Sequence, residues 1–270
     1  MYQVIERQYN PISIITINSK RMEQSLDKIK QLDLAKKSKI KLIRGHLSFG
    51  LHEFFPNTCT YITILRDPID RIISHYYFVL NNPLHYLHKK VKKHNMNLRD
   101  YVCSGISTEL DNAQTRLLAG HLSGTQNVSL DIGFGKCTTK MLNLAIDNLE
   151  KYFPVVGLAD RFDETLVQLK RYLGWKHIYY NKMRVSKKRL AKERLPNNVL
   201  KSIEKYNNLD IELYNYAKTI FDDQIKKQNK SFFMELEEFQ KHNKRFGKLL
   251  YISTFPLSAF HKILRAARQY

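Results

Sequence analysis

Apolar and polar residues alternate along the chain in two patterns, short apolar runs and longer stretches with helical spacing. The short runs are rich in β-branched residues and predict strands, whereas apolar residues three or four positions apart predict helices. The strands are predicted at 12–17, 39–43, 61–65 and 155–158, and the longer helices at 2–9, 21–35, 138–151, 162–173 and 199–227. Because strands alternate with helices, the sequence predicts an α/β fold with a mostly parallel sheet covered on both faces.

The clearest unit of this pattern is Thr60–Phe78, TYITILRDPIDRIISHYYF. An apolar run predicts a buried strand, and Asp67 followed by Pro68 predicts the N-cap and first position of a helix. Arg66 lies where the strand ends, and Ser74 lies two turns into the helix. Open α/β folds bind phosphate where a strand's carboxyl end meets a helix N-terminus. The unit therefore predicts a phosphate site.

The chain is strongly basic, with 45 lysines and arginines against 25 aspartates and glutamates and a net charge of +20. This charge favours an acidic partner, which could be nucleic acid, an anionic membrane, a sulfated or carboxylated glycan, or a phosphorylated cofactor. The three cysteines form neither a metal motif nor a disulfide framework, which favours a reducing compartment. With no membrane-spanning run or signal peptide in the sequence, we expect a cytoplasmic protein; the alternative is a membrane-associated or Golgi protein whose N-terminal anchor is missing.

The pattern divides the chain into a domain at 1–225 and a basic helical C-terminal extension at 226–270. Residues 247–270 are basic and mildly amphipathic, so a peripheral contact with an anionic membrane is predicted for them. The histidines at 75, 85, 88 and 94 have no spacing typical of a metal motif and are predicted to lie on the surface.

The pattern LRDP-x-x-R-x-x-S-x-Y at residues 65–76 resembles the 3′-phosphate-binding segment of sulfotransferases that use 3′-phosphoadenosine 5′-phosphosulfate (PAPS). It is most similar to the carbohydrate branch, which includes heparan sulfate 2-O-sulfotransferase and bacterial sulfotransferase family 2 proteins. The resemblance implies a P-loop-NTPase-like three-layer sandwich, PAPS as sulfate donor, and no metal. It also implies that Arg66 and Ser74 hold the 3′-phosphate. Arginine offers a planar fork to phosphate oxygens, and serine a short hydroxyl donor.

Three further segments are related to this family. Arg44-Gly45-His46 is similar to its Gly-His segment, and the resemblance implies that His46 is the catalytic base. The 2-O-sulfotransferases carry a second histidine where this chain has Arg44, which cannot act as a base near neutral pH. The basic loop 184–194 corresponds to a loop that covers the nucleotide, which implies that Arg189 binds PAPS; the alternative is a solvated run of charge. Residues 112–116 are expected to bear on the acceptor site.

One segment of the family has no counterpart in this sequence. Relatives begin with a strand and a Pro-Lys-Thr loop, whose backbone N–H groups and lysine neutralise the 5′-phosphosulfate. The helix predicted at 2–9 resembles the helix that follows this loop, so we expect the first strand and the phosphate loop to be missing. Either the sequence begins too late, or the donor half-site has been lost and activity with it.

Two functions follow from these observations. The first is transfer of a sulfuryl group from PAPS to a hydroxyl of a glycan acceptor, for which the net charge favours an acidic glycan. The alternative is a non-catalytic protein that binds nucleic acid or another anionic polymer on a degenerate sulfotransferase fold. The net charge and the basic run 182–206 support the alternative. The chain carries no recognised nucleic-acid motif, so no specific nucleic acid is expected as a partner.

Overall fold

The computed structural model describes residues 1–17, 22–45, 47–120, 132–181 and 190–245. The strands are β1 (Ile14–Thr16), β2 (Leu42–Arg44), β3 (Ile62–Leu65) and β4 (Val155–Leu158). The helices are α1 (Tyr2–Ile5), α2 (Met22–Lys30), α3 (Leu34–Ser38), α4 (Pro68–Asn81), α5 (His88–Lys93), α6 (Leu98–Cys103), α7 (Ala113–Ala119), α8 (Thr139–Tyr152), α9 (Phe162–Leu173), α10 (Asn197–Tyr206), α11 (Asn208–Lys226) and α12 (230–245).

The strands pair in parallel, and the α/β fold class is confirmed. β1 pairs with β2 from Ile14 opposite Leu42, and β3 pairs with β4 from Ile62 opposite Val155. Each pair is joined through helices, as a parallel connection requires. Within the described residues the pairs form two separate two-stranded sheets. The continuous sheet and the P-loop-like three-layer arrangement remain predictions.

Two helices predicted as continuous are interrupted. The helix predicted at 21–35 is α2 followed by α3, because the Asp33 carboxylate accepts the Lys36 N–H at 2.7 Å and starts a new helix. The helix predicted at 199–227 breaks at Asn207, whose side-chain amide donates to the Leu110 carbonyl at 3.0 Å. Because the apolar spacing continues across each break, the sequence pattern does not reveal where the helix ends.

The described residues contain two hydrophobic cores. The larger one contains side chains of β3, β4, α7, α8, α9 and α11, and the smaller one contains those of α4, α5, α6 and α10. Leu65 at the end of β3 belongs to the larger core, and Ile69 in the first turn of α4 belongs to the smaller one. Arg66, Asp67 and Pro68 therefore lie where the chain passes from one core to the other.

Helix α12 packs against the larger core. Phe232 and Phe239 are buried in it, and the Glu235 carboxylate pairs with Lys170 and Arg171 of α9. The described part of the extension at 226–270 therefore packs on the domain before it, and the division at residue 225 remains a prediction. Residues 247–270, with their predicted membrane contact, lie outside the described residues. Among the helices that the structure describes, none has the length and apolar character needed to cross a bilayer.

Candidate functional site

The junction between β3 and α4 has the predicted geometry. β3 ends at Leu65, and α4 begins at Pro68 with Asp67 as its N-cap. The Asp67 carboxylate accepts the N–H of Asp70 at 2.8 Å, which satisfies one of the unpaired donors of the first helical turn. Arg66 is thereby held between the end of a strand and the N-terminus of a 14-residue helix.

The backbone of Arg66 is fixed by a side chain from α7. Its N–H donates to Gln114 Oε1 at 2.9 Å, and its carbonyl accepts a hydrogen bond from Gln114 Nε2 at 2.9 Å. A side-chain amide can form both bonds because it carries a donor and an acceptor side by side. Gln114 therefore sets the position from which the Arg66 side chain leaves the strand.

The Arg66 guanidinium lies along one face of α4. Its Nε donates to Asp70 Oδ2 at 2.7 Å, and both side chains are about one-third exposed, 35% and 31%. Ser74 follows Asp70 by four residues, so the two lie on the same helix face. The Ser74 side chain is partly buried and makes no hydrogen bond to another described residue. The Arg66 side chain therefore extends along the helix face that carries Ser74.

A lysine from the basic loop reaches the same junction. Lys192 Nζ lies 2.9 Å from Asp67 Oδ2, so the described end of the loop 184–194 packs against the start of α4. Arg189 lies outside the described residues. The sequence analysis did not single out Lys192, because nothing in a run of many lysines and arginines distinguishes it.

A buried carboxylate connects the elements around the junction. Asp210 of α11 is fully buried, and its oxygens accept the N–H groups of Gln114 at 3.1 Å and Thr115 at 2.7 Å. These are donors at the N-terminus of α7, where negative charge is favourable. Asp210 also lies 3.8 Å from Arg71 Nη2 of α4. Through Gln114, this carboxylate supports the backbone of Arg66.

The residues expected near an acceptor are largely structural. Arg116 is buried and pairs with Asp111, and Arg116 Nη1 donates to the Ile132 carbonyl at 2.6 Å. Asn112 is also buried, with φ at 47°, and its Oδ1 accepts the Asp210 N–H at 3.0 Å. The acceptor assignment is wrong for these two side chains, because they are occupied inside the protein.

The candidate base follows β2. Arg44 ends this strand and is buried, with Nη2 2.8 Å from Glu6 Oε1 and Nε donating to Thr16 Oγ1 at 3.1 Å. Its role is therefore structural. Gly45 lies close to β1, since a Cβ there would be 2.9 Å from the Ile17 carbonyl oxygen. His46 itself lies outside the described residues; in the sequence it comes two positions after Arg44, the last residue of β2.

Of the four histidines predicted on the surface, His94 is exposed, and His75, His85 and His88 are partly buried. His75 and His85 lie together with Glu109, and one ligand atom of each lies within 4.8 Å of the others. The sequence did not predict this contact, because α4 and the turn after it bring together residues ten positions apart, which no local spacing motif describes.

A cavity of about 580 Å³ lies away from the junction. Its lining includes Thr60, which precedes β3, and Tyr152 and Tyr172 at the ends of α8 and α9. Beside it, burial raises the pKa of Tyr61 to about 12. The cavity lies at the amino end of β3, whereas Arg66 follows the carboxyl end of this strand.

Comparison with known proteins gives one family. The family model described as Galactose-3-O-sulfotransferase matches residues 28–252, which is most of the chain. The matched range contains the β3–α4 junction, Gln114, Lys192 and Asp210. A search of curated proteins gives no match.

Proposed function

Because the chain belongs to the galactose-3-O-sulfotransferase family, we propose that it transfers a sulfuryl group from PAPS to a hydroxyl of a carbohydrate. The predicted membership of a carbohydrate sulfotransferase family is confirmed, although the matched family is named for galactose 3-O transfer and not for the 2-O branch. One observation carries the proposal. Arg66 is held by Gln114 at the carboxyl end of β3 and extends along the α4 face that carries Ser74.

The donor set suits the 3′-phosphate of the nucleotide. A guanidinium fork, a serine hydroxyl and a helix N-terminus are groups that bind phosphate. The Asp70 carboxylate forms an ion pair with the Arg66 guanidinium, so a bound phosphate has to replace this carboxylate. A partly exposed ion pair contributes about 0.2–1 kcal/mol, a small cost against charge-assisted hydrogen bonds to phosphate. When bound, PAPS supplies an activated sulfuryl group.

The remaining roles follow from the resemblance and from position. We assign His46 the proton that leaves the acceptor hydroxyl as its oxygen attacks, since imidazole titrates near neutral pH. We assign Arg189 to the nucleotide, and the contact of Lys192, three residues later, with Asp67 at the junction supports this assignment. The net charge of +20 would steer both an anionic nucleotide and an acidic glycan toward the protein.

The test is transfer of labelled sulfate from PAPS to a galactose-terminated oligosaccharide. We expect Arg66→Ala to lower transfer at low PAPS by more than tenfold, since it removes charge-assisted hydrogen bonds of about 1.5–3 kcal/mol each. Arg99→Ala is the matched control, because Arg99 is exposed on α6, and it should transfer at the wild-type rate. An Arg66→Ala variant as fast as wild type would overturn the assignment.

The alternative function makes a different prediction. A non-catalytic protein that binds an anionic polymer would show salt-sensitive binding to DNA or heparin with no transfer, and Arg66→Ala would bind the polymer as wild type does. The net charge and the basic run 182–206 support this alternative. Absence of transfer together with Arg66-dependent nucleotide binding would instead identify a donor-binding protein without turnover.

A further inference from the structure

Two histidines and a glutamate from three separate segments meet beside α4. His75 lies on α4, His85 lies in the segment that leads to α5, and Glu109 lies in the 3-10 turn Thr108–Leu110. One ligand atom of each lies within 4.8 Å of the other two, and His75 Nε2 is 3.1 Å from Glu109 Oε2. We propose that His75, His85 and Glu109 bind one divalent transition-metal ion, for which zinc is the best chemical match.

A contact with Tyr101 orients the ring of His75. Its Nδ1 lies 3.0 Å from the hydroxyl of Tyr101, which is fully buried. When Nδ1 donates to the Tyr101 oxygen, Nε2 carries the lone pair that a metal needs, and it faces Glu109. Metal-binding histidines are held in this way by a partner on the other ring nitrogen.

The donor set selects the class of metal. Two imidazoles and one carboxylate, with a fourth position left for water, form a common zinc site, whereas calcium and magnesium prefer oxygen ligands throughout. Tetrahedral bonds of 2.0–2.1 Å to zinc place ligand atoms roughly 3.3–3.4 Å apart. The contact between His75 and Glu109 already has nearly this length, so the larger adjustment falls on His85.

The surroundings allow an ion to enter and remain. The Glu109 side chain is half exposed, and His85 is partly exposed, with its ring 4.8 Å from that of Tyr86. Among the described residues, Arg71 is a cation close to this cluster, and its Nη1 donates to the Glu109 carbonyl at 3.0 Å. Its charge is offset by the buried Asp210 at 3.8 Å, so the carboxylate of Glu109 keeps its attraction for a metal.

A metal here would act on structure, independently of the proposed sulfuryl transfer. It would link α4, which carries the predicted phosphate ligand Ser74, to the segment around His85 and to the turn that holds Glu109. Since a bound ligand stabilises the folded state by mass action, zinc should raise the unfolding temperature of the chain.

The experiment is a zinc titration of the full chain after treatment with a chelator, in competition with a chromophoric chelator, and a Co²⁺ titration followed by its visible absorption. We expect one tight equivalent in the wild type, with the intense absorption of tetrahedral Co²⁺. His85→Ala and Glu109→Gln should each weaken zinc binding more than tenfold and abolish the zinc-dependent rise in unfolding temperature. Circular dichroism will verify that both variants fold.

His88→Ala is the matched control, because His88 lies on α5 with Nδ1 2.8 Å from the Val79 carbonyl and outside the cluster. It should keep the wild-type affinity for zinc. The proposal is overturned if the wild type lacks a tight equivalent, if both cluster variants keep their affinity, or if His88→Ala loses as much affinity as they do.

Discussion

Asp210→Asn tests the network that positions Arg66. Asp210 is fully buried in α11 and accepts two backbone N–H groups of α7, including that of Gln114, whose side chain holds the Arg66 backbone. Asparagine has nearly the same shape but only one acceptor oxygen and no charge. The substitution therefore removes one of the two hydrogen bonds and places the NH2 group of asparagine against a backbone N–H, so that two donors face each other. It also removes the carboxylate that lies 3.8 Å from Arg71.

The expected cost follows from these losses. Hydrogen bonds to a charged group contribute about 1.5–3 kcal/mol each, and breaking a buried ion pair costs about 3–5 kcal/mol. Arg71 keeps its bonds to the Glu109 carbonyl at 3.0 Å and to Asn207 at 3.2 Å, so the lower end of the range applies. We expect the free energy of unfolding to fall by about 3 kcal/mol.

Urea unfolding near neutral pH measures this change. Asp210→Asn should unfold at a lower urea midpoint with an unchanged slope, because the surface exposed on unfolding stays the same. The control is Asp223→Asn on the same helix, since Asp223 is 55% exposed and pairs with Lys226. That variant should stay within about 0.5 kcal/mol of wild type. If the two variants unfold at the same midpoint, Asp210 does not support the junction.

Three further predictions concern single sites. Asp70→Asn removes the carboxylate that competes with phosphate, so affinity for adenosine 3′,5′-bisphosphate should rise up to about fivefold by calorimetry. Gly157→Ala should lower stability to urea by about 1–3 kcal/mol, because its Cβ would lie 2.4 Å from Cγ2 of the buried Thr165. Cys137 should react much more slowly than the exposed Cys103 with iodoacetamide near pH 8, measured by mass spectrometry, since burial raises the pKa of Cys137 to about 11.

Each of these predictions has a control or a contradicting result. Asp27→Asn is the control for Asp70→Asn. It removes the exposed ion pair between Asp27 and Lys30 in α2, far from the junction in the sequence, and should leave nucleotide affinity unchanged. Gly133→Ala adds a Cβ with nothing within 4 Å and should leave stability unchanged, so equal losses in both glycine variants would contradict the steric argument. Equal labelling rates of Cys103 and Cys137 would show that burial does not control the reactivity of the thiols.

Local signals in the sequence predicted the elements that carry the site. Asp67 and Pro68 mark the start of α4, and the apolar run 155–158 and the periodic segment 162–173 have the boundaries found in β4 and α9. In these segments, capping chemistry and tertiary packing favour the same conformation, so nearby residues suffice for the prediction.

The contacts that complete the site could not be predicted in this way. Gln114 binds the backbone of Arg66 across 48 positions, and Lys192 reaches Asp67 across 125. Such pairs form only when helices from different parts of the chain pack around the strands. The sequence shows the residue types but neither the distance nor the partner.

The most direct test of the central claim compares two nucleotides that differ by the 3′-phosphate alone. By calorimetry, the wild type should bind adenosine 3′,5′-bisphosphate more than tenfold tighter than adenosine 5′-monophosphate, because Arg66 adds charge-assisted hydrogen bonds of about 1.5–3 kcal/mol each. Arg66→Ala should reduce this ratio toward one, and Arg99→Ala should keep it. Equal affinity of the wild type for the two nucleotides, or a ratio unchanged in Arg66→Ala, would contradict the account.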